Sequence, residues 1–139
     1  MNGPGIRPQQ SELAAPFWEA AARHELVVQR CAGCGRLQWY PRWSCTTCGA
    51  TALGWAPVTG RGRIHSFTVA RVATHPAFAG SEPLVIALVD LEEGPRMTTN
   101  IVCERLGDLR IGAAVEVCFD DVGEGLTLPR FRLPDLGAV

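Results

Sequence analysis

Two Cys-x2-Cys-Gly segments limit the possible folds of this chain more than any other feature of its sequence. Cys31 and Cys34 form the first pair, and Cys45 and Cys48 form the second pair after a gap of ten residues. Two turns at this spacing can bring four thiolates to the corners of a tetrahedron. The Gly after each pair supplies a positive-φ turn that lets backbone amides point at the sulfur atoms. We therefore predict a structural metal site held by these four cysteines.

The metal expected at this site is zinc, with iron as the alternative, because four thiolates hold either ion. A disulfide framework does not suit a chain whose start, MNGPGIRPQQ, lacks the order of a signal peptide, and we expect a cytoplasmic location. A redox role for one Cys-x2-Cys pair does not explain two matched copies. Four protein ligands leave no open position on the metal, so a catalytic role for the metal is not expected.

Composition predicts a folded chain with an uneven distribution of charge. The 139 residues are 47% hydrophobic and 19% charged, which suits a packed interior. The formal net charge is -1, but residues 1–75 carry eight Arg and three Glu, whereas residues 76–139 carry five Arg and eleven acidic residues. All basic residues are Arg, which excludes Schiff-base lysine chemistry. No apolar stretch is long enough for a membrane helix, so no membrane association is expected.

The N-terminal part of the chain predicts a helix followed by a metal-bound ribbon. Residues 1–12 are polar with Pro and Gly, and we expect a flexible arm there. Residues 11–26 (SELAAPFWEAAARHEL) have apolar side chains at helical spacing and predict one short amphipathic helix. Residues 26–30 and 37–40 predict a hairpin around the first cysteine pair. Helix and rubredoxin-like zinc ribbon are expected to form one unit over residues 13–57.

Residues 58–139 predict a second unit built from short strands separated by Gly, Pro and Asp. The strands are predicted at residues 63–73, 84–91, 96–104, 113–122 and 126–133, with a brief turn or helix at 106–109. The second strand, LVIALVDL, is apolar on both faces and is expected to be central. Five short strands favour a closed OB-fold barrel, because closure removes sheet edges that a unit of this size could not cover. The predicted fold class is therefore mainly β.

Four aromatic residues lie in the ribbon, namely Trp39, Tyr40, Trp43 and Trp55. We interpret them as the small core of this unit, because aromatic rings carry much of the buried area in tiny modules. The alternative is an exposed surface on which a ligand or a partner protein stacks.

The remaining reactive side chains do not form a recognisable catalytic set. Cys103 and Cys118 lie in predicted strands and are expected to be small buried hydrophobic residues. The histidines lie far apart in the sequence and are expected to be structural; they are His24, His65 and His75. No paired carboxylates, nucleophile elbow or phosphate loop is evident. A stand-alone enzyme is therefore disfavoured.

The order of these motifs resembles a known family, the zinc-ribbon plus OB-fold proteins long catalogued as a domain of unknown function. The resemblance covers about residues 13–133. The motifs that carry it are Phe17-Trp18-Glu19, the two cysteine pairs, Tyr40-Pro41-Arg42, Gly60-Arg61-Gly62 and Leu128-Pro129-Arg130-Phe131. Paired cysteines alone occur in many ribbons, but their combination with the YPR, GRG and LPRF motifs is much more specific.

The resemblance implies a partner enzyme. Members of this family typically accompany thiolase-superfamily proteins, including thiolases and the lipid-transfer-protein-like aldolases that cleave steroid side-chain acyl-CoA thioesters. Others accompany MaoC-type enoyl-CoA hydratases. The implied role is a non-catalytic subunit that binds and stabilises or activates such an enzyme and helps to enclose the CoA. Because thiolase-type partners are usually dimers, the resemblance implies an assembly of two chains of each kind.

Two sets of residues are candidates for contacts in such an assembly. Guanidinium groups bind phosphate bidentately, so candidates for the CoA phosphates are arginines near the junction of ribbon and barrel. They are Arg36, Arg42, Arg61 and Arg63. The alternative is that all four are ordinary surface charges. Phe17 and Trp18 are candidates for contact with the partner, or they pack against the chain's own ribbon.

A nucleic-acid-binding module is the alternative function, because ribbons and OB barrels bind nucleic acid in other proteins. Single-strand binders combine a basic groove with exposed aromatic side chains. Residues 76–139 instead carry five Arg against eleven acidic residues and are poor in Tyr and Trp. The charge of the predicted barrel thus disfavours nucleic acid as a partner.

Overall fold

One α-helix, eight strands and two short 3-10 turns order the described part of the chain. The computed structural model describes residues 7–73, 75–80 and 83–134, so residues 1–6 of the predicted arm lie outside it. The elements in chain order are α1 (Ala15–Ala22), β1 (Val27–Cys31), β2 (Leu37–Gln38), β3 (Leu53–Pro57), β4 (Arg61–Ala70), a 3-10 turn (Pro76–Phe78), β5 (Leu84–Leu91), β6 (Arg96–Val102), a 3-10 turn (Leu106–Asp108), β7 (Ala114–Gly123) and β8 (Leu126–Arg132). Within these ranges no helix has the length and apolar character needed to cross a bilayer.

Helix α1 is shorter than the sequence predicts, because both of its ends are fixed locally. Pro16 lies in the first turn, where its missing N–H costs no hydrogen bond. At the other end His24 has φ 61°, the left-handed conformation that ends many helices, and its N–H donates to the Ala21 carbonyl at 2.8 Å. Phe17, Ala20 and Ala21 form the buried face of the helix.

The ribbon contains a three-stranded sheet in the order β2-β1-β3. Strands β1 and β2 are antiparallel, with Gln29 opposite Gln38, which confirms the predicted hairpin. Strand β3 pairs with β1 along its whole length and is not predicted from the sequence. Gly54 and Pro57 interrupt its apolar pattern, so only pairing with β1 makes the strand evident.

The five predicted strands of the second unit form a closed barrel in the order β4-β5-β6-β8-β7, with β7 returning to pair with β4. All neighbours are antiparallel except β6 and β8, which run parallel. The prediction of an OB-fold barrel is therefore confirmed, and closure satisfies the strand edges as expected.

Strand β5 shows one difference from the sequence prediction. Val85, Ala87 and Val89 point into the barrel and are buried, and the strand has a neighbour on each side. Its other face is not buried, since the outward Ile86 is 37% exposed. Both faces of the strand are apolar, but only the inward face is covered, because it lines the barrel interior.

The LPRF motif joins the core to a buried ion pair. Phe131 is fully buried in the barrel core. Its neighbour Arg130 is 7% exposed, and its Nε donates to the Asp120 carboxylate at 3.2 Å. A second Arg130 nitrogen lies 3.4 Å from the Asn100 side-chain oxygen. Pairing compensates the desolvation of this guanidinium, so the motif fixes β8 against both of its neighbouring strands.

Helix, ribbon and barrel share one hydrophobic core. Phe17 of α1 and Val28 of β1 belong to the same buried cluster as the interior side chains of the barrel. Beyond the helix end, the His24 ring stacks on Phe119 of β7, with ring centroids 5.1 Å apart. The helix and ribbon are thus fixed to the barrel by apolar contact and by one aromatic stack.

A polar contact supports the same junction. His24 Nε2 lies 3.2 Å from each carboxylate oxygen of Asp121. The Thr127 hydroxyl donates a hydrogen bond to the Asp121 carboxylate at 2.5 Å. This bond is the larger cause of the lowered Asp121 pKa, and the contact with His24 is the next. A groove of about 400 Å³ runs beside this contact, between residues 24–27 and the Phe119 side of the barrel.

Two glycines at the start of β4 are required by close packing. Gly60 has φ 84°, and a Cβ at this position would collide with the Val117 side chain. Gly62 lies opposite β5, and a Cβ there would stand 2.5 Å from the Asp90 carbonyl oxygen. That contact is with backbone in the middle of a sheet, where relief by side-chain rotation is impossible. The GRG motif therefore allows the barrel to close.

We predict that Gly62→Ala destabilises the protein by about 2 kcal/mol or more, because overpacking against backbone moves β4 away from β5. Gly54→Ala is the matched control, since Gly54 also lies in a strand and a Cβ there meets no atom within 4 Å. Urea unfolding of both variants measures the difference. Equal stabilities of the two variants would contradict this role of Gly62.

Candidate metal centre

Four cysteine sulfur atoms meet where the two turns of the ribbon face each other. The Sγ atoms of Cys31, Cys34, Cys45 and Cys48 all lie within 4.8 Å of one another. Cys31 Sγ is 3.5 Å from Cys48 Sγ, and Cys34 Sγ is 3.7 Å from Cys45 Sγ. A disulfide would need about 2.05 Å. Sulfur atoms about 2.3 Å from a tetrahedral zinc ion stand about 3.8 Å apart, which these separations approach.

The backbone of each turn is arranged to support negative sulfur. Gly35 and Gly49 have φ of 78° and 80°, which confirms the positive-φ turn expected after each pair. The N–H of Gly33 donates to the first sulfur of one pair at 3.3 Å, and the N–H of Thr47 donates to the first sulfur of the other at 3.3 Å. Such donors favour the thiolate over the thiol.

The pKa values of these thiols show how far hydrogen bonds from the protein alone stabilise the thiolate form. The backbone N–H groups of Cys48 and Thr47 donate to Cys45 and lower its pKa to about 6. At Cys48 the Ala50 amide lowers the pKa, but the hydrogen bond with Cys31, burial and the other thiols outweigh it and raise the pKa to about 11. Four thiolates at these distances therefore require a cation between them.

This donor set fits a structural zinc ion. Zinc prefers four thiolates in tetrahedral arrangement, and all four positions are then taken by the protein. Cys31 and Cys45 are buried, whereas Cys34 and Cys48 are exposed, so the centre lies at the edge of the ribbon. A metal there would supply folding energy to the ribbon and would offer no position to a substrate.

A buried pair of glutamines lies beside the centre and is missed by sequence reasoning. Gln29 is 2% exposed, and its amide group both donates to the Arg42 carbonyl at 3.0 Å and accepts from the Arg42 N–H at 2.8 Å. Gln38 donates to Gln29 at 2.8 Å and accepts from the Thr46 N–H at 3.0 Å. The one available signal is a Gln within the apolar run LVVQR.

The four candidate arginines differ in the contacts that their guanidinium groups already make. Arg61 forms an ion pair with Glu92 at 2.7 Å, and Arg63 donates to the Gly112 carbonyl at 3.0 Å. Arg36 and Arg42 are exposed, and neither guanidinium group forms an ion pair within residues 7–73, 75–80 and 83–134. Binding of phosphate by these arginines stays a prediction.

The two candidate residues for partner contact are placed differently. Phe17 is 6% exposed and packs against Trp18 and Trp39, with ring centroids 5.0 and 4.6 Å away. Phe17 is thus occupied by the chain's own core, which is the alternative considered from the sequence. Trp18 is partly buried against that core. Contact of this pair with a partner stays a prediction.

The ribbon aromatics divide into two groups. Trp39 and Trp55 are partly buried and pack against the core, as a small ribbon core requires. Tyr40 is 48% exposed and Trp43 is 72% exposed, so the interpretation of all four as core is wrong for these two. Gln29 holds the backbone of Arg42, which lies between these two residues in the sequence.

The histidines have structural partners, as expected. His24 contacts Asp121, and His65 Nδ1 lies 3.4 Å from the Asp90 carboxylate, which also pairs with Arg96. His75 accepts a hydrogen bond from the Ala77 N–H at 3.0 Å.

Comparison with known families finds the ribbon and the barrel together in one kind of protein. A family model described as "ChsH2, rubredoxin-like zinc ribbon domain" matches residues 18–54. A second, described as "ChsH2, C-terminal OB-fold domain", matches residues 55–120.

Two relatives carry different descriptions. A "Probable enoyl-CoA hydratase alpha subunit" of Thermomonospora curvata is 40% identical over 126 residues, which are 91% of this chain and 39% of the relative. A "DUF35 domain-containing scaffold protein" of Methanothermobacter thermautotrophicus is 36% identical over 73% of this chain and 77% of the relative. The chain thus spans well under half of the hydratase subunit but most of the scaffold protein.

One solved structure is similar over almost its full length. A chain of the "Ltp2-ChsH2(DUF35) aldolase" superposes with a TM-score of 0.82 and 38% identity, covering 91% of this chain and 98% of that chain.

We predict that purified protein contains one equivalent of zinc, and that Cys34→Ser or Cys48→Ser lowers it to less than about one tenth because three thiolates hold the ion poorly. Elemental analysis measures the metal, and an absorption spectrum separates colourless zinc from coloured iron. Cys118→Ser, which alters a half-buried thiol of the barrel, is the control and should keep its zinc. A metal-free wild-type protein would contradict the assignment.

Proposed function

The chain belongs to the DUF35 family, whose ChsH2-type members join a zinc ribbon to an OB-fold, and we propose that it is a non-catalytic subunit of an acyl-CoA enzyme. Its partner in this proposal is a thiolase-superfamily protein, either a thiolase or a lipid-transfer-protein-like aldolase. The subunit binds the partner, stabilises or activates it, and helps to enclose the CoA.

One observation carries the proposal. The solved chain that this protein matches at a TM-score of 0.82 comes from an aldolase whose name contains two components, Ltp2 and ChsH2(DUF35). The match covers 91% of this chain and 98% of that chain. The proposed partner corresponds to the other component.

The chemistry of the metal centre supports a non-catalytic role. Four thiolates complete the coordination of zinc, so substrate and water have no position on the metal. The histidines contact carboxylates or a backbone amide instead of a nucleophile. Reaction at the acyl thioester is therefore assigned to the partner.

Contact with CoA is the part of the proposal that depends on arginine. Arg36 and Arg42 have exposed guanidinium groups available for phosphate, whereas Arg61 and Arg63 already contact Glu92 and the Gly112 carbonyl. In the latter two the guanidinium is already oriented by that contact, which limits how it can meet a phosphate. Arg36 and Arg42 are thus the better candidates of the four.

A hydratase partner is the second candidate, favoured by the name of the Thermomonospora curvata relative. This chain covers 39% of the length of that relative. A MaoC-type enoyl-CoA hydratase would then take the place of the thiolase-like protein. Nucleic-acid binding receives no comparable support, since the barrel half of the chain is acidic.

The proposal also includes a location and a stoichiometry. A reducing cytoplasm keeps all four thiols available for zinc. A dimeric thiolase-like partner would bind two copies of this chain. Steroid side-chain breakdown is one pathway class in which such an aldolase acts, and the acyl group is selected by the partner.

Co-expression with any thiolase-superfamily protein found in the gene neighbourhood of this chain tests the proposal. We expect the two to co-purify at equal stoichiometry, with a mass in solution of two plus two chains. A MaoC-type hydratase and a single-stranded oligonucleotide serve as competing partners in parallel experiments. Exclusive binding to either competitor, with no thiolase-like complex, would contradict the proposal.

A further inference from the structure

Residues 40–44, which we term the 40–44 loop, place two aromatic side chains in solvent. Trp43 is 72% exposed and Tyr40 is 48% exposed. A large aromatic side chain left outside the core of a small protein commonly marks a contact surface. The loop leads directly into Cys45, so its position depends on the metal centre.

The backbone of the 40–44 loop is held in one conformation by two glutamine side chains of the ribbon sheet. Gln29 bonds both the N–H and the carbonyl of Arg42, and Gln38 bonds the Thr46 N–H. The Ser44 carbonyl lies 3.4 Å from the Gln38 amide nitrogen. Trp43 therefore stands between two residues with fixed backbones, and its docking would cost little conformational entropy.

The ribbon segment that contains the loop carries an excess of basic residues. Residues 26–57 contain Arg30, Arg36 and Arg42 and no Asp or Glu. None of these three forms an ion pair with another residue that the structure describes. A zinc ion with four thiolates would contribute about -2, which leaves the ribbon weakly positive. A surface that complements it carries carboxylates.

We infer that the 40–44 loop is the surface by which this chain docks on its partner subunit, with Trp43 entering an apolar pocket rimmed by carboxylates that face Arg42. This inference rests on the proposed function, assigns it a surface, and gives Arg42 to the partner's carboxylates, which leaves Arg36 as the better candidate for the CoA phosphates. Trp, Tyr and Arg are the residue types that dominate binding energy in protein interfaces, and the loop presents all three together.

A protein partner suits the loop better than a small ligand or nucleic acid. Ligand sites are concave and bury most of the ligand, whereas a side chain that is 72% exposed protrudes from the surface. Single-stranded nucleic acid requires a row of stacking rings along a basic groove. The groove beside His24 is lined by other residues and has Glu25 in its wall.

Binding of the variants to the thiolase-superfamily partner identified by co-expression tests the inference. Trp43→Ala and Arg42→Glu should each weaken Kd at least about tenfold, because both remove an anchor at the proposed centre. Ile111→Ala is the matched control, since Ile111 is 70% exposed and precedes β7 of the barrel. This control should bind within about twofold of wild type. Circular dichroism and zinc content should be unchanged in all three variants.

A photo-reactive benzoylphenylalanine at position 43 gives a second readout and should cross-link to the partner. Wild-type binding combined with unaffected binding of Trp43→Ala, or with no cross-link, would overturn the inference and leave the proposed function intact. Failure of the wild-type chain to bind would overturn both.

Three other results would assign the 40–44 loop elsewhere and overturn the inference. A rise in KM for acyl-CoA in Arg42→Glu with unchanged partner affinity would assign the arginine to CoA. Salt-sensitive oligonucleotide binding that is lost in Trp43→Ala would assign the loop to nucleic acid. Self-association lost in the same variant would assign it to a second copy of this chain.

Discussion

The ribbon depends on the convergence of four sulfur atoms, because a module of this size buries too little apolar surface to fold by itself. The thiolates lie within 4.8 Å of one another, and the backbone donors offset only part of their repulsion. A cation at the centre removes the rest and fixes both turns. The loop between the cysteine pairs leads directly into Cys45, and the glutamines beneath it hold its backbone.

The barrel provides a rigid base for that ribbon. Its closure requires Gly62 to pass close to the backbone of β5, and the buried Arg130–Asp120 pair fixes β8 beside β7. Phe17 and the stack of His24 on Phe119 then join the helix and ribbon to it. The molecule can therefore present the ribbon at a fixed orientation, which a subunit that acts through contact with another protein requires.

Sequence reasoning predicts the parts of this structure that local chemistry determines. The cysteine spacing predicts the cluster, and alternation and turn residues predict the five barrel strands. Strand β3 and the partly exposed face of β5 escape prediction, because pairing and closure decide them. The glutamine pair escapes as well, since Gln29 has a role only when the chain brings Arg42 against it.

The most direct test of the central claim measures turnover of an acyl-CoA thioester while the thiolase-like partner is titrated with this chain. The account predicts that the chain alone is inactive, and that activity of the partner rises with added chain and saturates at one chain per partner subunit. Zinc-depleted chain should fail to raise it. Turnover by this chain in the absence of any partner would contradict the account.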